Sequence, residues 1–258
     1  MARRLLLLLL TLCLLGAVTA LSLSQEVGSN SSSNNNLDLP VNGGSADTIE
    51  EDAAEIIHFY GQQFEGDSFV FCVDRSGSMG DHGELARAKR EICRNIMEFS
   101  NRTEFAICFF DAEVRMWPAN GRPIKATIQT RGAACRWVGI IPRGSQSCPQ
   151  EGLIRSIQTL NRSKNRRRCL VYVGDGGGTC MIPGWRDRYG GSANSVVRES
   201  INFESTYLEE TLKVARRLNY KDASINTIGV MMNGRRQVHH DFVRNLAQQN
   251  DGTYRRID

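Results

Sequence analysis

Phe69-Val70-Phe71-Cys72-Val73-Asp74-Arg75-Ser76-Gly77-Ser78-Met79 joins five apolar residues to an abrupt polar loop. An unbroken apolar run of this length, with no polar residue at alternate positions, fits a strand buried on both faces. Three further runs repeat the pattern: Phe105-Ala106-Ile107-Cys108-Phe109-Phe110, Cys169-Leu170-Val171-Tyr172-Val173 and Ile225-Asn226-Thr227-Ile228-Gly229-Val230. Amphipathic stretches separate them. Leu85, Ala88, Ile92, Ile96 and Phe99 fall on one helical stripe, and similar stripes predict helices within 153–160, 207–218 and 242–247. Strands alternating with helices over about 190 residues predict one α/β domain of three layers, a mostly parallel sheet with crossover helices on both faces.

Composition agrees with such a domain. The chain has 258 residues, 41% of them hydrophobic, which is enough for one sizeable core and excludes a wholly disordered protein. Eight cysteines, about 3% of the chain, are too few for a disulfide scaffold, so the core must hold the fold. Basic and acidic residues number 32 and 28, a net charge of +4. The densest basic cluster, Lys164 to Arg168, lies between a predicted helix and a strand start, and reads as a solvated turn and not as a nucleic-acid surface.

At the amino end, Arg3 and Arg4 precede an apolar run from Leu5 to Val18, and Val18-Thr19-Ala20 supplies small residues for cleavage, so residues 1–20 read as a secretory signal. The run, about 14 residues, is shorter than the roughly 20 needed to span a bilayer. Cleavage would remove Arg3, Arg4 and Cys13, leaving a charge of +2 and seven cysteines. Residues 21–46, centred on Ser31-Ser32-Ser33-Asn34-Asn35-Asn36, have the composition of a flexible tether. Thr48 and Glu51 match a capping box, and Ile49, Ala53, Ile56, Ile57 and Tyr60 recur at helical spacing. They predict an amino-terminal helix within 47–65, ahead of a domain over 66–258. Asn30, Asn101 and Asn161 each begin a glycosylation sequon.

In parallel sheets of this kind ligands bind at the carboxyl ends of the strands. The first such end reads DxSxS. In an extended segment residues i, i+2 and i+4 point the same way, so Asp74, Ser76 and Ser78 converge. One carboxylate and two hydroxyls form a hard-oxygen set that suits Mg²⁺, or Mn²⁺ or Ca²⁺ with looser geometry, and does not suit zinc. Uncharged hydroxyls leave such a cation electron-poor and receptive to an outside anionic oxygen. On spacing alone DxSxS is an ordinary polar turn; its position after a buried strand, with Asp175 ending another, favours a site.

These residues resemble the von Willebrand factor A domain with its metal-ion-dependent adhesion site. The resemblance covers most of Ser68 to Asp258 and rests on VDRSGSM, LVYVGDGGG, INTIGV and the closing DFVRNLAQQNDGTYRRI. It implies a divalent cation held by Asp74, Ser76 and Ser78, by a hydroxyl from a second loop, and by Asp175 from a third. The second-loop residue is Ser147, counted back from Leu153, with Ser145 as the alternative, in place of the family's threonine. The resemblance further implies a protein partner whose Asp or Glu completes the coordination, and coupling to movement of the last helix, about Asp241 to Gln249. Arg75, Met79, Trp185 and Arg186 border the expected site as candidates for setting specificity.

Other chemistries fit less well. Gly174-Asp175-Gly176-Gly177-Gly178-Thr179 follows a strand, but has no Walker lysine and does not run into a helix. A metal-dependent hydrolase would need a general base, and only Asp81 and His82 follow the first loop closely; His58, His239 and His240 read as surface or capping residues. No Gly-x-Ser-x-Gly turn occurs. A metal-free interaction module is the other alternative. Cys148 and Cys180 flank the second and third loops, which suggests a disulfide bracing the rim, with Cys135–Cys148 as its rival.

Overall fold

The computed structural model describes residues 53–180 and 193–258, with backbone alone over 193–201. The expected signal 1–20, the tether 21–46, the first residues of the predicted helix and the specificity candidates Trp185 and Arg186 lie outside the described residues.

The helix expected within 47–65 is not formed where the chain is described. Strands β1 (Glu55–Phe59) and β2 (Gln62–Gly66) instead make an antiparallel hairpin. Both strands alternate, burying Ile57 and Phe59 on one and Phe64 on the other, while Ile56 and His58 face solvent. The two-residue connection Tyr60-Gly61 has φ of 51° and 70°, a left-handed pair whose twist matches that of the strands it joins. Helical spacing and strand alternation share several positions in so short a run, and the glycine turn decides between them.

The main sheet is centred on β3 (Ser68–Asp74), buried along its whole length. Parallel to it lie β4 (Glu104–Phe110) on one side and β7 (Arg168–Gly174) on the other. Beyond β4, β5 (Val114–Trp117) and β6 (Ile124–Lys125) pair antiparallel; beyond β7, β8 (Ser224–Val230) and then β9 (Tyr254–Ile257) continue in parallel. The order is β5-β4-β3-β7-β8-β9, so the chain reverses its direction of travel across the sheet between β3 and β7. That reversal opens a crevice at the strand ends.

Among the described residues six helices accompany the sheet: α1 (Gly77–Asp81), α2 (Glu84–Glu98), α3 (Ile128–Ile140), α4 (Pro149–Leu160), α5 (Ala193–Leu218) and α6 (Gln237–Gln248). One face of the sheet, including Phe69, Phe71, Phe105 and Val171, packs on α2, α3 and the hairpin. The other face, including Val70, Cys72, Phe110 and Tyr172, packs on α4, α5 and α6. Two hydrophobic layers thus sandwich the sheet, the three-layer arrangement expected. The basic turn is tied into the framework, with Arg167 Nε 2.9 Å from Asp67 Oδ2 and Arg168 Nη2 donating to the Lys221 carbonyl at 2.7 Å.

Candidate metal centre

At the carboxyl end of β3 the strand stops at Asp74, whose side chain is wholly buried. Asp74 Oδ1 accepts the Ser76 backbone N–H at 2.7 Å, an Asx-type turn that folds the loop back on itself. Asp74 Oδ2 accepts the Ser147 hydroxyl at 2.7 Å. Ser76 Oγ and Ser78 Oγ lie 3.3 Å apart, and Ser78 Oγ donates to Asp175 Oδ2 at 2.6 Å. All five residues expected from sequence are therefore brought together. Of the two second-loop serines, both of which line the cavity, Ser147 is buried with its hydroxyl on Asp74, whereas Ser145 is exposed and its backbone closes the loop.

Hydrogen bonds between loops fix this geometry. Gly77 N–H donates to the Ser145 carbonyl at 3.0 Å, and Gly144 N–H to the Arg75 carbonyl at 2.7 Å. The Ser147 carbonyl accepts N–H from Thr179 at 2.9 Å and from Cys180 at 3.1 Å, while Ser147 N–H donates to Thr179 Oγ1 at 2.9 Å. A disulfide joins Cys148 to Cys180 beside this clasp, with Cα atoms 5.0 Å apart. Cys135 instead lies on α3, facing Cys93 on α2, so the rival pairing is not formed. After Asp175 the chain turns at Gly176, with φ of 76°, and a Cβ there would meet the His239 carbonyl oxygen at 2.6 Å. Only glycine meets both demands.

Two of the residues expected to face a partner do not. Arg75 alternates inward between Asp74 and Ser76, where its guanidinium pairs with Asp111 at 2.6 Å and donates to the Pro142 carbonyl at 3.2 Å. Met79 is fully buried against the core from α1. Asp81, the last residue of α1, and His82 are exposed and line an open groove with Glu84 and Asp258 that also reaches Ser78 and Arg235.

The cavity itself, about 350 Å³, is also bordered by Thr179, Glu204, Arg235, Arg236 and His239. Arg235 places its guanidinium on Asp175 Oδ2, the oxygen that also accepts from Ser78. Arg236 pairs with Glu204, whose Oε1 accepts Gly178 N–H at 2.9 Å and meets His239 Nε2 at 3.0 Å. His239 is thus no surface residue. It is 6% exposed, its Nδ1 finds no partner, and burial, followed by the Arg236 charge, lowers its pKa to about 4. Sequence reasoning passed over Arg235, Arg236 and Glu204, yet the two arginines lie in the loop that follows β8, as the DxSxS loop follows β3.

The electrostatics suit a cation. Burial first, and the Asp175 carboxylate second, push Asp74 up to about 7. Two buried carboxylates facing one another are costly without a compensating positive charge. Asp74, Asp175 and the three serines offer oxygen atoms only, with the Arg235 guanidinium already on Asp175, and among the described residues no group of three or more His, Cys, Asp or Glu side chains is placed so that it could hold a metal ion. The set fits a hard divalent cation and is unsuited to a thiolate- or imidazole-seeking metal.

Sheet order, crevice and strand-end loops have the arrangement of the von Willebrand factor A-type fold. No family model matches the chain, and no curated protein matches it in sequence. Solved structures do match in fold. The chain is similar to von Willebrand factor type A from Catenulispora acidiphila, with 17% identity and a TM-score of 0.55 over 76% of this chain and 40% of that one. It is also similar to the pilus adhesin SpaC from Lactobacillus rhamnosus GG, with 13% identity and a TM-score of 0.53 over 76% of this chain and 28% of that one. The vWF domain of the type V pili tip protein Mfa5 from Porphyromonas gingivalis gives 12% identity and a TM-score of 0.51 over 73% of this chain and 89% of that one. Thus the chain spans less than half the length of the first and the second. Among the described residues no helix is long and apolar enough to cross a membrane.

Proposed function

We propose that this domain is an exported or cell-surface adhesion module that binds a protein partner through Mg²⁺, or Mn²⁺ or Ca²⁺ in its place. The observation that carries the reading is the clustering of two buried carboxylates and three hydroxyls at the strand ends, where all but Asp74 line one cavity. Asp74, Ser76, Ser78 and Ser147 would hold the cation, with Asp175 acting through water, and the bound ion would supply an attachment point for an Asp or Glu of the partner. The protein's own contribution is orientation. Asp74 is held by Ser76 N–H and Ser147 Oγ, and Ser147 by the clasp to Thr179 and Cys180. Similarity to a pilus adhesin and a pili tip protein supports surface adhesion, as does the apolar segment at 5–18 for export.

A non-enzymatic role agrees with the surroundings of the cavity. His239, the one histidine bordering it, is lowered to about 4 by burial and then the Arg236 charge, which leaves it a weak base for taking a proton from water at neutral pH. A second reading, a metal-free interaction module, is favoured by Arg235, which already gives Asp175 a positive partner. Thermal melts in Mg²⁺, Mn²⁺ and EDTA, on wild type and Asp74→Ala, discriminate the two. The metal reading expects a melting temperature that climbs with the logarithm of Mg²⁺ concentration in wild type alone. Identical curves throughout would leave the metal-free module.

A further inference from the structure

Neighbouring arginines in the β8–α6 loop take different acidic partners. Arg235 reaches Asp175, one of the five converging residues, while Arg236 reaches Glu204, which is not. Asp175 is 2% exposed, and its acceptor capacity is almost fully committed. Oδ1 takes Gly177 N–H at 3.0 Å, and Oδ2 takes both the Ser78 hydroxyl at 2.6 Å and the Arg235 guanidinium. Ser78 is therefore tied to the very oxygen that Arg235 neutralises. A divalent ion drawing on Ser78 and Asp175 has to compete with a guanidinium for the same carboxylate charge. With its two lone pairs taken by Ser78 and Arg235, Oδ2 has none left for the cation or a water on it while Arg235 stays in place.

We infer that Arg235 is a built-in competitor of the cation, setting the concentration at which the site loads; this rests on the metal reading above. A charge-assisted pair in a largely buried setting, favoured over its open form by about tenfold, weakens the apparent cation affinity by about the same factor. Loading then requires the guanidinium to leave Asp175. Its side chain, 28% exposed, has solvent to move into, and it lies in the loop entering α6, whose left-handed Gly234 has φ of 75°. Site occupancy and the position of that loop are thereby linked.

The test is calorimetric titration of Mg²⁺ alone into wild type, Arg235→Gln and Arg236→Gln at equal ionic strength. Each variant removes one positive charge at the same rim, so a general field effect moves both alike, by about two- to threefold at most for exposed, screened groups. Competition at Asp175 predicts that Arg235→Gln binds Mg²⁺ about tenfold tighter and exceeds Arg236→Gln. Arg235→Lys, which keeps the charge but loses the planar fork, falls between, and it serves as the test should the glutamine variant not fold. Equal gains in both glutamine variants, or weaker binding in Arg235→Gln, overturn the competitor role while leaving the metal site standing. If wild type and all variants take up no Mg²⁺, the metal reading and the competitor fall together.

Discussion

Removing the Cys148–Cys180 bridge, in a Cys148→Ala/Cys180→Ala variant, tests how the rim is held. The two residues are 32 positions apart in sequence. Closing a loop of that length restricts the unfolded chain by about 3.7 kcal/mol at 25 °C in the loop-entropy treatment. For a domain of this size each kcal/mol moves the melting temperature by about 2–4 °C, so a fall of roughly 7–15 °C is expected. Cys148 is 1% exposed, and its truncation adds to the loss and does not offset it. The local effect matters as much. Ser147 immediately precedes the bridge, and only the hydrogen bonds from Thr179 and Cys180 to its carbonyl, together with its own N–H bond to Thr179, would still clasp the two loops. Differential scanning calorimetry of variant and oxidised wild type measures the shift, and non-reducing peptide mapping verifies the bridge. A change below about 2 °C, or a free Cys148 thiol in the oxidised wild type, refutes the reasoning.

Further outcomes follow from the same geometry. In EDTA, Asp74 with its value raised to about 7 contributes stability that is complete below the ordinary carboxylate range and is lost as pH rises from there through 7. Asp74→Asn keeps the shape, abolishes this loss, and gains up to about 4 kcal/mol at pH 8 by denaturant melts, while losing any response to Mg²⁺; a variant as pH-sensitive as wild type contradicts the assignment. His239 behaves in the opposite sense. Its value is lowered to about 4, so stability is complete above the ordinary histidine range and falls from about pH 6.5 to 4, by up to about 3 kcal/mol, and His239→Gln flattens that limb in pH-dependent melts. In a host that glycosylates exported proteins, mass analysis should find glycan on Asn101, which is exposed, and none on Asn161, which is 8% exposed with its Nδ2 donating to the Leu218 carbonyl.

The four central strands and the helix stripes were legible because burial on both faces leaves a simple signature. Val70 and Phe71 point to opposite layers and both are apolar. Helix α3 left no such stripe. Its Gly132, Ala133, Ala134 and Gly139 interrupt the apolar face, and Ile128 and Ile140 at its ends are exposed. The hairpin misled because Ile57 falls both on the helical stripe and on the buried face of the strand. At the site, the DxSxS loop could be read because its ligand atoms lie within five residues. Arg235 and Glu204 reach the cavity from the β8–α6 loop and from α5, brought there only by the order of strands. Applying the strand-end rule to β8 as well as to β3 and β7 would have found Arg235, but nothing in its neighbours reveals that it turns toward Asp175. Arg75 and Met79 were misplaced for a related reason, since adjacency in sequence to a site says nothing about which side of the loop a residue faces.

The most direct measurement is an anomalous difference map from crystals of the domain grown with Mn²⁺. A single peak per chain, surrounded by Asp74, Ser76, Ser78 and Ser147 with Asp175 close by and Arg235 turned away, is the predicted result. A map without a peak in this cavity at saturating Mn²⁺, with Arg235 still seated on Asp175, would contradict the account.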